Sequence, residues 1–118
     1  MNNMSMNWNQ LKSQEELGQI IEASSIRPQV IFKHSTTCPI SSMAKMRLED
    51  KWDLTDVDAH YLDLLSFRTI SNQIAETLSV HHESPQLILI MDGECVYDSS
   101  HFDITVDELK ESLAYARK

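Results

Sequence analysis

Cys38 stands between a polar loop and a proline, in Ser35-Thr36-Thr37-Cys38-Pro39-Ile40-Ser41, a setting suited to covalent chemistry. Residues 29–33 upstream, Gln-Val-Ile-Phe-Lys, form a short β-branched run that reads as a buried strand. Downstream, Pro39 fits the first turn of a helix, where its missing N–H has no partner to lose. A sulfur at that junction faces unpaired helix N–H groups, here those of Ile40 and Ser41, and the positive end of the helix dipole. Both favour thiolate over thiol, and such placement lowers a cysteine pKa by about one to several units from ~8.5. The spacing Cys-Pro-Ile-Ser matches a Cys-x-x-Cys pair with Ser41 in the last place. Ser41 lies one turn on, placed to donate a hydrogen bond to the thiolate, but it cannot close an internal disulfide. Chemistry at Cys38 then stops at a mixed disulfide that an external thiol must resolve.

The other candidates are weaker. Cys95 follows the Asp92-Gly93 turn and reads as a packing or half-exposed thiol. His34 and His101 are possible neighbours of the thiolate, although each is more ordinarily a structural or surface histidine. Cys38, Cys95 and the histidines share no Cys-x-x-Cys or His-x-x-x-His spacing, and His81 and His82 are adjacent, so their side chains diverge. No metal site is expected.

Positioning Cys38 requires a strand before it, a helix after it and a sheet to hold both. Ser13-Gln14-Glu15-Glu16 is a capping box opening a helix with Leu17, Ile20 and Ile21 on one face. The strand over residues 29–33 follows Pro28, and the helix from Pro39 runs to about Trp52. Residues 60–65 read as a second strand, and residues 67–78 as a helix with Ile70, Ile74, Ala75 and Leu78 on one side. Residues 86–91 are the most apolar run, and Asp92-Gly93 is a hairpin signal that returns residues 94–98 as a partner strand. Thr105-Val106-Asp107-Glu108 is a second capping box, opening a last helix with Leu109, Leu113 and Ala114. The order is a helix and then β-α-β-α-β-β-α, which predicts an α/β fold of thioredoxin-like type: a central mixed four-stranded sheet flanked by helices. Residues 1–6 read as a disordered lead and residues 7–118 as a single domain.

In that fold a cis proline opens the third sheet strand and faces the nucleophile, so Ser84 and Pro85 join the candidate site. The chain of 118 residues carries 18 acidic against 10 basic side chains, a formal charge of −8. A surface that negative repels phosphate backbones and anionic lipid, which disfavours nucleic-acid and membrane binding. The N-terminus shows neither the basic nor the apolar region of a secretion signal, and no apolar run approaches membrane-spanning length. With its few cysteines, the expected setting is the reducing cytoplasm.

Residues 32–41 (Phe-Lys-His-Ser-Thr-Thr-Cys-Pro-Ile-Ser), 82–86 (His-Glu-Ser-Pro-Gln) and 100–105 (Ser-His-Phe-Asp-Ile-Thr) resemble the monothiol bacilliredoxins. The resemblance covers roughly residues 8–116, nearly the whole chain. It implies a thioredoxin-like fold and the removal of bacillithiol, or a similar low-molecular-weight thiol, from S-thiolated client proteins. Cys38 would attack the mixed disulfide, with Ser41 beside it, and an external thiol or reductase would regenerate it; no bound cofactor is implied. Thr37, Pro39, Ser84 and Pro85 would line the thiol site. Bacillithiol carries malate carboxylates, so Lys33, or failing that Lys45 at i+7 from Cys38, would supply a cation. The competing reading is a non-catalytic thioredoxin-like module that binds partners or serves a stress response.

Overall fold

The structure is a computed structural model and describes residues 6–117. The expected disordered lead, residues 1–6, lies outside the described residues except for the half-buried Met6. The described chain runs β1 (Asn9–Gln10), α1 (Gln14–Ala23), β2 (Gln29–His34), α2 (Pro39–Lys51), β3 (Asp58–Asp63), α3 (Arg68–Leu78), β4 (Gln86–Met91), β5 (Glu94–Ser100), a 3₁₀ turn (His101–Asp103) and α4 (Val106–Ala116).

Both predicted capping boxes form their first hydrogen bond. Ser13 Oγ accepts the Glu16 N–H at 3.1 Å, and Thr105 Oγ1 accepts the Glu108 N–H at 3.1 Å. The Glu16 carboxylate accepts the N–H of Lys12 at 2.8 Å, one residue outside the cap itself. At the hairpin, Asp92 (φ 53°) and Gly93 (φ 78°) both occupy the left-handed region. A two-residue turn matched to the twist of its strands needs that geometry.

The sheet has the order β1-β3-β2-β4-β5. β1, β3 and β2 are parallel, β4 is antiparallel to β2, and β5 is antiparallel to β4. The fold is therefore the expected thioredoxin-like α/β arrangement, with five strands in place of four. The added strand β1 has no apolar pattern to reveal it. It is held by backbone pairing of Asn9 with His60 and Gln10 with Tyr61, and by the Leu11 N–H to the Tyr61 carbonyl at 2.9 Å.

Strand alternation sends β2 and β4 side chains to two cores. Val30, Phe32, Leu87 and Leu89 pack with Ala44 and Leu48 of α2 and with Leu109 and Leu113 of α4. Ile31, Ile88 and Ile90 pack on the other face with Leu17 and Ile20 of α1 and with Ile70 and Ile74 of α3. All of β2 is buried, which makes it the rigid base from which the Cys38 loop leaves. Among the described residues no helix is long and apolar enough to cross a membrane.

Candidate active site

Cys38 is the N-cap of α2, with extended backbone (φ −104°, ψ 117°) and Pro39 in the first helical turn. No side chain caps this end, so the first-turn N–H groups remain open to an anion carried by the N-cap residue. The Cys38 N–H donates to the Ser35 carbonyl at 3.1 Å, and the Ser42 N–H donates to the Cys38 carbonyl at 3.1 Å, tying the cysteine to loop and helix at once. Cys38 is a half-buried free thiol, flanked by exposed Thr36, Thr37 and Pro39. The Thr37 hydroxyl lies 3.4 Å from that of Ser35.

Ser41 is wholly buried. Its Oγ accepts the Ser35 N–H at 3.0 Å and lies 2.7 Å from His34 Nδ1. The hydroxyl expected to serve the sulfur is thus engaged with the last residue of β2 and the first of the loop. His34 is itself buried, its ring stacked on Phe32 at 5.7 Å and tilted against Tyr61 at 5.5 Å. Burial holds its pKa below the ordinary imidazole value; the Lys45 ammonium adds to this, while Asp63 and Glu49 oppose it.

Ser84–Pro85 is a cis peptide bond. Register places Lys33 opposite Gln86, so Pro85 falls beside His34 at the sheet end from which the Cys38 loop departs. The Pro85 carbonyl accepts the His101 N–H at 3.3 Å. Arg47 of α2 donates to the carbonyls of His101 at 3.1 Å and Ile104 at 3.2 Å. One basic residue that the sequence reading passed over therefore ties the cysteine helix to the segment that holds Pro85.

The structure corrects the assignment of Lys33 to the thiol site. Lys33 is wholly buried on the α1/α3 face, the same side of β2 as Ile31, whereas Cys38 caps α2 on the other face. Its Nζ donates to the Ser71 carbonyl at 3.4 Å and lies 3.2 Å from His82 Nδ1. Burial lowers its pKa to about 8, against the opposing pull of Asp98. Lys45, the second cation, is paired with Glu49 at 2.6 Å and sits 5.8 Å from the centre of the Tyr61 ring.

Cys95 pairs in register with Ile90 near the hairpin, whereas Gln86 marks the end of β4 nearest the Cys38 loop. Four residue steps of strand separate those ends, about 13 Å. The Cys95 thiol donates to the Tyr97 carbonyl at 3.5 Å, and burial raises its pKa. Both cysteines are free, and the fold keeps them at opposite ends of the sheet.

A half-buried free thiol at a helix start, with a cis proline at the same end of the sheet, defines a thiol-redox protein of thioredoxin-like fold. The family model of the monothiol bacilliredoxin BrxC matches residues 9–109, and the chain belongs to that family. A solved structure described as a thioredoxin-fold protein with a suggested oxidoreductase role is 34% identical, with a TM-score of 0.80; the match covers 89% of this chain and 92% of that one. Thioredoxin from Trypanosoma brucei brucei superposes with a TM-score of 0.76 at 14% identity, covering 98% of this chain and 96% of its own. The short form of spinach chloroplast thioredoxin f gives 0.72 at 15% identity over 100% of both chains. These last likenesses show the fold alone.

Proposed function

We propose that the protein removes bacillithiol, or a similar low-molecular-weight thiol, from S-thiolated proteins through a single cysteine. The observation that carries this reading is the separation of the thiols: Cys38 caps α2, Ser41 occupies the place of a resolving cysteine, and Cys95 sits at the far end of the sheet. The Cys38 thiolate attacks the small-thiol sulfur of the mixed disulfide. That S–S bond breaks, the client cysteine leaves as thiolate, and a new S–S bond joins Cys38 to the small thiol. An external thiolate, free or on a reductase, then attacks the small-thiol sulfur of this bond, forms a new disulfide with it and releases the Cys38 thiolate. Thr37, Pro39, Ser84 and Pro85 surround the approach to the sulfur in this reading. The reducing cytoplasm is the compartment in which such a cycle runs.

The test incubates reduced protein with a bacillithiolated client, and in parallel with a glutathionylated one, and follows intact masses. The client should lose its adduct while the protein gains one bacillithiol on Cys38. Cys38→Ser should abolish the transfer, and Cys95→Ser should retain it. A client that keeps its adduct, or a Cys95→Ser variant that loses activity, overturns the proposal.

A further inference from the structure

His34 and Ser41 form a buried polar pair directly beneath the cysteine loop, and the exchange chemistry above makes no use of it. Ser41 is wholly buried and His34 is 5% exposed. Their contact at 2.7 Å is continued by the Ser35 N–H to Ser41 Oγ at 3.0 Å, and the Ser35 carbonyl accepts the Cys38 N–H at 3.1 Å. Three hydrogen bonds, joined through the backbone of Ser35, thus link the imidazole to the backbone of the nucleophile. The imidazole has little freedom: aromatic rings flank it on both Phe32 and Tyr61, and its own carbonyl accepts the Leu64 N–H at 3.0 Å.

We propose that His34 is a positioning residue for Cys38, acting through the Ser41 hydroxyl to fix the loop that carries the thiol. This inference rests on the thiol chemistry assigned to Cys38 but not on which small thiol it carries. A serine hydroxyl has one proton to give and two lone pairs. One lone pair takes the Ser35 N–H, so the proton goes to Nδ1 when the imidazole is neutral with its own proton on Nε2. Ser41 is then spent inward and does not serve the sulfur. When the ring gains a proton, Nδ1 becomes a donor, the hydroxyl must accept from it, and the hydroxyl proton is released toward a new acceptor. The Cys38 sulfur, at the N-cap position three residues before Ser41, is the anionic candidate. His34 therefore governs which way Ser41 points, and with it the setting of the loop. The charged groups that face the ring are Lys45 and Glu49 from α2 and Asp63 from β3; Tyr61 packs against it from β3, and Ser35 follows it in the loop.

The experiment measures alkylation of Cys38 by iodoacetamide from pH 5 to 9, in a Cys95→Ser background, with thermal melting recorded for every variant. Iodoacetamide needs no bacillithiol, so failure of the small-thiol assignment and failure of this inference give different results. Ser41→Ala and His34→Phe should each slow alkylation at pH 7 by about three- to tenfold, and the double variant should be no slower than either single one, as expected for residues acting as a unit. His34→Asn, which places a polar atom where Nδ1 stood, should restore most of the rate at pH 7. The wild-type profile should require two ionisations, and that of His34→Asn only one. A folded Ser41→Ala variant that reacts at the wild-type rate overturns the inference, as does a wild-type profile described by a single ionisation. Should His34→Phe not fold, Ser41→Ala and the His34→Asn profile decide the matter alone.

Discussion

Lys33 and His34 are neighbours in sequence and sit on opposite faces of β2, so they meet different chemistry. His34 joins the α2 side and the cysteine loop, while Lys33 ends beneath α3 against Ser71 and His82. The sequence showed the proximity of Lys33 to Cys38 but not the pleat, and the side-chain period of a strand allows no compromise between faces. The same limit hid the role of Ser41. Its spacing from Cys38 was legible, whereas its hydrogen-bond partner depended on where β2 ends. A buried ammonium with such modest partners costs stability. Its pKa falls from 10.5 to about 8 because burial disfavours the charged form. The cost is fully present below pH 8, where folded and unfolded chains are both charged, and fades as pH rises toward 10.5. Lys33→Met, similar in volume and free of charge, should therefore stabilise the protein at pH 7 by about 1–3 kcal/mol. Urea denaturation of both proteins at pH 7 and pH 10 checks this, and the gap between them should shrink at the higher pH.

Among the elements, those with an apolar period or a capping pair were legible, and the one without either was not. β2 and β4 declare themselves by β-branched and apolar runs, α1 and α4 by their capping boxes, and the hairpin by Asp92-Gly93. β1 is two exposed polar residues whose pairing is made by backbone groups. What anchors it is the residue before it. Trp8 stacks on Phe32 at 5.7 Å, meets Trp52 at 6.3 Å and Tyr61 at 6.1 Å, and donates its indole N–H to Glu49 at 2.8 Å. A lone tryptophan in a polar lead gives no period to read, so this anchor was invisible before the sheet was assembled. Trp8 spans the parallel edge of the sheet and the α2 face, and half-buried aromatic area of this kind is worth about 2–3 kcal/mol. Trp8→Ala should lower stability by that amount in urea denaturation and expose the backbone of β3. Faster hydrogen exchange at the amides that pair with β1 would confirm that the loss is local to this edge.

Over the whole molecule, the formal charge of −8 acts on encounters more than on the fold. In the proposed cycle, thiol exchange begins with two proteins meeting at a half-buried sulfur, and the summed field of an acidic protein would select which clients arrive. Several basic side chains are already spent internally: Lys45 on Glu49, Lys110 on Asp53, Arg117 on Asp56 and Arg27 on Asp58. These pairs cancel locally and leave the acidic excess to face solvent. On the proposed function, bacillithiolated peptides flanked by lysines should therefore be processed faster than the same peptides flanked by glutamates, by about tenfold at low ionic strength. The difference should reside in the second-order rate constant and collapse near 0.5 M salt, where the screening length falls to about 4 Å. Stopped-flow transfer rates across a salt series make the measurement. A preference that survives high salt would assign client choice to contacts around Cys38 rather than to the field of the whole protein.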